Sequence, residues 1–182
     1  ATQGRNNARA VITGSLDMFS NELFIKSKGA NRRYVQHLVS WNFGESGVLR
    51  VNKVFHHFAH DSSFQPSEYK LLDDIVYTID ITTYDATRKE WVPYVTDDLY
   101  LEFVMLDPYI RMPLTYVPGT STYKAEFKIP DKHGVFQFKV DYKKHGFTFL
   151  SVPTKIPIRP FKHNEYERYL SDAFPYYLTV FG

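Results

Sequence analysis

The chain contains no cysteine. This excludes disulfide bonds and thiolate metal ligands, but it does not assign a compartment, because an oxidising lumen permits disulfides without requiring them. The sequence also has no Asn-x-Ser/Thr sequon, so that motif gives no support to a secreted protein. The opening stretch ATQGRNNARA lacks the apolar segment of a signal peptide, and we do not expect it to act as one.

Charge of one sign is also scarce, since the net charge is only +2 and basic residues are interleaved with acidic ones. There is no basic stripe that would predict a nucleic-acid partner. Aromatic residues, in contrast, are abundant, with 14 Tyr and 15 Phe among 182 residues. Because aromatic side chains suit a half-buried pleated surface, this composition favours β-strands. The length suffices for one large domain, or for one domain plus a fragment of another.

Residues 1–45 are typical of an α/β unit. The run ARAVITGS (residues 8–15) predicts a buried strand that enters a turn, and SNELFIKS predicts a short helix capped by Ser20. The stretch NRRYVQHLVSWNFG predicts a longer helix with Asn31 as N-cap and Gly44 just after its end. A strand with its helices cannot form a layered domain alone. We therefore interpret residues 1–45 as the closing strand–helix unit of a Rossmann-like α/β domain.

From Gly47 onward the hydrophobic period changes to two. Four runs alternate apolar and polar side chains, as strands with one buried face do. Their apolar members are Ile75, Tyr77, Ile79 and Ile81; Leu99, Leu101, Phe103 and Met105; Tyr123, Ala125, Phe127 and Ile129; and Phe136, Phe138, Val140 and Tyr142. The turn-forming stretches DATRKE, VPGTST and PDKHG separate these runs. We expect a mainly β fold, with an antiparallel β-sandwich over residues 46–162.

The segment FHHFAHD is the first candidate for a metal site, because it holds His56, His57, His60 and Asp61. Zinc needs three or four convergent ligands, whereas adjacent residues of a strand point to opposite faces. We interpret His56, His57 and His60 as surface histidines at a strand end, and we predict no metal site.

Two groups of carboxylates are candidates for glycoside hydrolysis, namely Asp97, Asp98 and Glu102, and Asp73 with Asp74. That reaction needs two acids on either side of the scissile bond. Adjacent acids before a strand are ordinary turn residues, and the sequence has no phosphate-binding loop and no nucleophile elbow. We predict no catalytic residue and no cofactor in this chain.

Four long stretches together resemble a known family: RNNARAVITGSLDMFSNELF, WVPYVTDDLYLEFVMLDPYIR, IPDKHGVFQFKVDYKKHGFT and RPFKHNEYERYLSDAFPYY. They are similar to the 48-kDa subunits of eukaryotic oligosaccharyltransferase, and the similarity runs from Arg5 to Tyr177. The resemblance implies a non-catalytic, structural subunit on the luminal side of the endoplasmic reticulum membrane. It would belong to the complex that transfers a preassembled glycan from dolichyl diphosphate to Asn of nascent polypeptides.

The same resemblance implies the partners of the chain. They are the catalytic multi-spanning subunit, which carries the divalent metal, the ribophorin-type subunits and the small defender-against-death subunit. The family also implies a signal peptide, the rest of the α/β domain, one transmembrane helix and a cytosolic tail, which these residues do not include. It offers no catalytic residue that could be transferred to this sequence.

The closing stretch HNEYERYLSDAFPYYLTVFG is unusually apolar for the end of a chain. The residues alone leave two interpretations open: its aromatics form a last strand or pack on the sandwich, or they lie where a helix enters the lipid headgroups. The resemblance favours the second. Residues 163–182 are then a membrane-proximal segment that leads to a transmembrane helix, with Phe174, Tyr176 and Tyr177 at the membrane interface.

A short amphipathic turn is expected just before these aromatics. Tyr166, Tyr169 and Leu170 have the spacing that places side chains on one helical face. Such a turn would lie against the sandwich and set the angle at which the chain approaches the membrane.

An aromatic-rich sandwich is also compatible with a second function, the binding of a glycan or an extended peptide on exposed rings. The candidates are Tyr84, Tyr94 and Tyr109, each of which can instead be a core or cross-strand partner. A third hypothesis is a glycosidase that uses the carboxylates named above.

Overall fold

Strands dominate the computed structural model, which describes residues 1–166 and 171–181. The first 45 residues contain β1 (Thr2–Gln3), β2 (Arg9–Ala10), a 3₁₀ turn (Leu16–Phe19), α1 (Asn21–Lys26) and α2 (Ala30–Asn42). The strands that follow are β3 (Leu49–Phe58), β4 (Tyr69–Lys70), β5 (Asp74–Asp85), β6 (Glu90–Pro93), β7 (Tyr100–Val104), β8 (Pro108–Pro113), β9 (Thr115–Tyr116), β10 (Thr122–Lys128), β11 (Gly134–Tyr142) and β12 (Leu150–Arg159). A second 3₁₀ turn (Ser171–Ala173) leads into α3 (Phe174–Phe181).

Two five-stranded sheets pack face to face. The first has the order β3-β5-β10-β9, with β6 also paired to β5, and the second has the order β4-β12-β11-β7-β8. Neighbouring strands are antiparallel except for β4, which is parallel to β12. The expectation of a mainly β, antiparallel sandwich is confirmed.

The core lies between the two sheets and contains the residues that the period of two predicts. The four predicted runs bury their apolar side chains, while Met105, at the end of one run, stays half-buried. Aromatic rings meet across the interface: the ring centroids of Tyr77 and Phe138 are 5.2 Å apart, and those of Phe103 and Phe127 are 5.3 Å apart. Such pairs contribute about 0.5–1.5 kcal/mol beyond the apolar area that they bury.

The helices of residues 1–45 form where they were expected, but the strand does not. Ser20 caps α1 by accepting from the backbone N–H of Leu23, and Gly44 follows α2 with a φ of +73°. Asn31 is not the N-cap of α2: the cap position is Gly29, and the Asn31 side chain donates to the Met18 carbonyl instead.

The predicted buried strand over residues 8–15 is wrong. β2 ends at Ala10 and pairs with β1 as a two-stranded antiparallel ribbon, and Ile12 beyond it is 87% exposed. The apolar run of residues 8–15 therefore belongs to neither sheet of the sandwich. A Rossmann-like origin of residues 1–45 remains a prediction.

Arg9 joins residues 1–45 to the start of the sandwich. Its Nη1 donates to the carbonyl oxygens of Trp41 (2.6 Å) and Ser46 (2.8 Å), and its Nη2 donates to that of Gly47 (2.8 Å). The guanidinium also lies 4.8 Å from the centre of the Trp41 ring. One side chain thus fixes the end of α2 and the first residues of the sandwich together.

The same junction contacts the loop between β11 and β12. Trp41 Nε1 donates to the Gly146 carbonyl (2.9 Å), and Asn7 exchanges two hydrogen bonds with the backbone of Phe149. Gly47 has a φ of +65°, and a Cβ there would overlap the Gly146 carbonyl oxygen. We call these contacts of Asn7, Arg9, Trp41, Gly47 and Gly146 the seam.

The two ends of the sandwich carry different parts of the chain. Residues 1–45 contact the loop that precedes β12, whereas the chain leaves β12 at Arg159, at the other end of the same strand. Gly134 pairs with Ile158, and Val104 pairs with Gln137. The start of β11 and the turn between β7 and β8 therefore lie at the end where the chain leaves, which we call the exit end.

Candidate functional site

The closing segment is a helix, not a last strand. α3 has the sequence FPYYLTVF and carries no charged residue. Pro175 occupies its first turn, where the missing N–H costs nothing because helical N–H groups there have no intrahelical partner. The sandwich ends with β12, and α3 contacts the 3₁₀ turn Ser171–Ala173 just before it.

The side chains of α3 are largely exposed. Tyr176 is 74% exposed, and Phe174, Leu178 and Val180 each expose half or more of their surface, whereas Tyr177 is half-buried. Phe174 and Tyr177 are three positions apart and share one side of the helix, while Tyr176 points to another. The three predicted interface residues thus lie on one helix but on different sides of it.

An ion pair holds the chain where it leaves β12. Nη1 and Nη2 of Arg159 donate to the Glu165 carboxylate, at 2.7 and 2.9 Å, and the Lys162 N–H donates to the same group at 2.8 Å. The hydrogen bonds from Arg159 lower the pKa of Glu165 to about 2. The path of the first residues after the sandwich is therefore defined by side-chain contacts.

Part of the predicted amphipathic turn can be located. Tyr166 packs against Phe161, with ring centroids 5.5 Å apart and the rings nearly edge to face. Tyr169 and Leu170 lie outside the described residues, within positions 167–170. The structure thus shows that Tyr166 contacts the residues just after β12, and the rest of that turn stays a prediction.

The three histidines of the candidate metal segment do not share one environment. His57 is half-buried and His60 is exposed, but His56 is 2% exposed, so interpreting all three as surface residues is wrong for His56. His56 Nδ1 lies 2.9 Å from the Tyr69 hydroxyl, and its Nε2 lies 2.9 Å from the Gln65 amide. Burial, with a smaller effect of His57, lowers the pKa of His56 to about 4. The described residues contain no group of three or more His, Asp or Glu side chains suited to a metal ion.

The tyrosines proposed as a binding platform serve the fold. Tyr94 is buried, and its hydroxyl lies 2.9 Å from that of Tyr142. Tyr84 meets Trp91 across β5 and β6, and the rings of Tyr109 and Phe136 meet edge to face. Each ring thus has a structural partner, as the alternative interpretation predicted.

Two family models match this chain. The model described as the OST48 middle domain matches residues 56–182, more than half of the chain, and the model described as the OST48 N-terminal domain matches residues 1–45. The chain belongs to the OST48 family. The seam falls at the junction of the two matched regions, since Arg9 and Trp41 lie in the first and Gly146 in the second.

Curated OST48 relatives from distant organisms align with nearly the whole chain. Each is named as the 48 kDa subunit of dolichyl-diphosphooligosaccharide–protein glycosyltransferase. The identity is 38% to the protein from Arabidopsis thaliana, 41% to that from Drosophila melanogaster and 42% to that from Danio rerio. The matches cover 98%, 100% and 99% of this chain, but only 43%, 42% and 42% of the respective relatives. The chain spans about two fifths of the length of these relatives.

A cleft of about 640 Å³ opens beside the seam of this OST48 chain. Tyr34, Leu38 and Trp41, spaced four and three positions apart on α2, form a stripe that lines one side of it. His145 and Phe149 from the loop before β12 line the other side. The stripe therefore faces a groove rather than a closed core. The sequence signals the stripe, but not the loop that faces it more than 100 residues later.

The carboxylate Asp98 takes part in a structural network. It accepts from the Tyr142 hydroxyl at 2.9 Å and from the Thr96 hydroxyl, and it pairs with Lys144 at 3.4 Å. Burial alone would raise the pKa of Asp98, but the hydrogen bonds from Thr96 and Tyr142 and the charge of Lys144 lower it. The same network, through Tyr142, includes the buried Tyr94.

Two other candidate carboxylates also form an ion pair or a hydrogen bond within the fold. Glu102 pairs with Arg111 across β7 and β8 at 3.4 Å, and Asp73 accepts from the backbone N–H of Lys70 at 2.9 Å. These contacts fix a strand pair and a turn. Asp97 and Asp74 are exposed.

Among the described residues of this OST48 chain, no helix has the length and apolar character needed to cross a membrane.

Proposed function

We propose that this chain is a luminal, non-catalytic part of the oligosaccharyltransferase complex, held at the endoplasmic reticulum membrane through the segment that α3 begins. The observation that carries the proposal is an uncharged aromatic helix that stays largely exposed at the end of a well-packed sandwich. The names of the relatives as 48 kDa subunits of a glycosyltransferase support the complex and, with it, the compartment.

The residues of α3 suit the membrane–water interface. Tyrosine and phenylalanine rings favour the headgroup region, where the ring contacts apolar chains and the tyrosine hydroxyl stays hydrated. The eight residues of α3 are shorter than the roughly 20 apolar residues that a spanning helix needs. We therefore place Phe174, Tyr176 and Tyr177 at the luminal interface, where a membrane helix would begin.

A structural role is supported by what the acidic residues do. Asp98, Glu102 and Asp73 each hold another part of the fold through hydrogen bonds or ion pairs. Glycoside hydrolysis would require two carboxyl groups that face one bond. The catalytic step accordingly belongs to another subunit in this proposal.

The partners that we propose are the catalytic multi-spanning subunit, the ribophorin-type subunits and the small defender-against-death subunit. α3 and its three aromatic residues would dock the sandwich onto these neighbours at the membrane surface. An uncharged helix can approach other membrane helices closely, because no charge has to be desolvated.

The test is co-purification of the partner subunits with full-length protein in which Phe174, Tyr176 and Tyr177 are changed to Ser. We expect weaker recovery of the partners from detergent extracts. The matched control is Trp91→Ser, which removes an exposed ring from the end of the sandwich opposite the exit end. Recovery equal to that of the unchanged protein would overturn the docking role of α3.

A further inference from the structure

A row of exposed apolar side chains crosses the exit end of the second sheet. It consists of Leu72, Leu106, Pro108, Val135 and Pro157, and we call it the rim. Leu106 is 89% exposed and Val135 is 61% exposed. Exposed apolar side chains grouped on a folded domain mark a place where something binds.

The strand order places Leu106, Pro108, Val135 and Pro157 near one another, whereas Leu72 lies farther out, beyond the Lys70–Arg159 pair. Val135 pairs with Pro157 between β11 and β12, and Pro108 opens β8 directly after the turn that holds Leu106. Leu72 lies in the turn after β4, which pairs with the last two residues of β12. The rim therefore follows the sheet from β4 to β8. With strands about 4.8 Å apart, these four steps extend over roughly 19 Å.

The backbone at Leu72 gives an independent sign that the rim is functional. Leu72 has a φ of +62°, a region in which leucine is disfavoured and glycine or asparagine is usual. The residue is strained and also exposes its side chain to water. Neither property helps the fold of the isolated chain, and strain of this kind collects at binding sites.

Charged residues beside the rim are of both signs. Lys128, Lys132 and Lys155 are exposed there, as are the acids Asp107, Asp131 and Asp74, the last of which is the register partner of Lys128. Apolar side chains with flanking lysines are the combination that binds at lipid headgroups, because the rings and methyl groups enter the acyl boundary while the ammonium groups contact phosphate.

We propose that the rim is a second membrane-contact surface, which rests on the bilayer that α3 approaches. This inference depends on the proposed function, since both place the exit end at the membrane. The geometry favours a bilayer because the most exposed residue, Leu106, is at the apex of a turn, and because only 15 positions separate Arg159 from Phe174. Two points of contact would hold the sandwich at one orientation, whereas α3 alone would leave it free to tilt.

The absence of cysteine makes a direct test possible. A single cysteine is introduced as Leu106→Cys, or as Ala86→Cys for the matched control in the turn between β5 and β6, and is labelled with a polarity-sensitive dye. The labelled chain is attached through a C-terminal histidine tag to vesicles of phosphatidylcholine, phosphatidylserine and a nickel-chelating lipid. We expect a blue shift and quenching by a spin-labelled lipid at position 106, and neither at position 86. Val135→Cys gives a second position on a regular strand.

A label at Leu178→Cys in α3 separates this inference from the proposed function. A response at 178 without one at 106 and 135 overturns the rim proposal and leaves the role of α3 intact. Silence at 178 overturns the membrane position of α3 itself. If the assembled full-length complex blocks labelling at 106 without lipid quenching, a protein surface covers the rim, which also overturns the proposal.

Discussion

The Tyr69 hydroxyl lies 2.9 Å from Nδ1 of His56, and both side chains are buried at the edge of the core. The Gln65 amide nitrogen can only donate, so Nε2 of His56 accepts and Nδ1–H donates to Tyr69. In a protonated His56, the Nε2–H would face the N–H groups of Gln65, and two donors cannot form a hydrogen bond. The neutral imidazole is therefore the form that the fold stabilises.

Stability should fall as the pH is lowered from about 6.5 to about 4. The pKa of His56 is lowered to about 4 in the fold, so the unfolded chain binds the additional proton in this window. At about 1.4 kcal/mol per pKa unit, roughly 2–3 kcal/mol should be lost. His56→Gln should reduce this slope in urea titrations, and the exposed His133→Gln should not; equal slopes in the two variants would contradict the assignment.

The same substitution, tyrosine to phenylalanine, can be compared at two buried positions, Tyr69 and Tyr77. Tyr77 is fully buried, and its hydroxyl has no hydrogen-bond partner among the described residues, whereas that of Tyr69 bonds His56. Tyr77→Phe should leave the free energy of unfolding unchanged or raise it by up to about 1 kcal/mol, since it removes an unsatisfied polar group. Tyr69→Phe should cost about 1–3 kcal/mol, because it leaves the His56 donor unpaired. Chemical denaturation measures both, and the reverse order would show that the two environments are misassigned.

Phe138 should be among the costliest positions to truncate. It is fully buried, and its ring meets those of Tyr77, Phe103 and His56. Phe138→Ala should cost about 3–5 kcal/mol, because a cavity remains between the sheets. Phe43→Ala is the control, since Phe43 is 76% exposed after α2 and should change stability by less than about 0.5 kcal/mol. Equal melting temperatures for the two variants would mean that the strand register is wrong.

Gly47 tests the seam. Gly47→Ala should destabilise the chain by more than about 1 kcal/mol, because φ is positive and the new Cβ would overlap the Gly146 carbonyl. Gly119→Ala has the same kind of backbone strain, with a φ of +83°, but no atom within 4 Å of the new Cβ. The difference between the two melting temperatures isolates the contact with Gly146. No difference would imply that Gly47 and Gly146 do not meet in solution.

The closing helix should be dispensable for the fold of the 182-residue chain. Changing Phe174, Tyr176 and Tyr177 together to Ser should shift the free energy of unfolding by less than about 0.5 kcal/mol, because α3 lies outside the core. Calorimetry of the purified chain measures this shift. Unfolding of the variant would place these aromatics in the core and contradict their membrane role.

The sequence predicted the faces of the long strands well, because the period of two survives along each of them. β3 is the exception. Its register shifts between Val51 and Lys53, which moves the inward face from odd positions such as Leu49 to even positions. This bulge turns His56 into the core, and no local pattern in FHHFAHD signals it.

The contacts of the seam could not be predicted for another reason. Trp41 meets Gly146, and Asn7 meets Phe149, across more than 100 positions of the chain. Such pairings follow from how the two sheets close, not from local propensity. The resemblance of several long stretches identified the family, but it did not locate these contacts. For α3, Pro175 and β-favouring aromatics permit either a strand or a helix, and the resemblance favoured the helix that the structure has.

The seam and the exit end lie at opposite ends of the same strands. At about 3.3 Å per residue, the ten residues of β12 measure roughly 33 Å from one end to the other. The length of the strands therefore sets the distance between residues 1–45 and the point where the chain leaves the sandwich. Because nine register pairs hold β12 to β11, the sheet fixes the distance between Arg159 and the loop that meets Trp41.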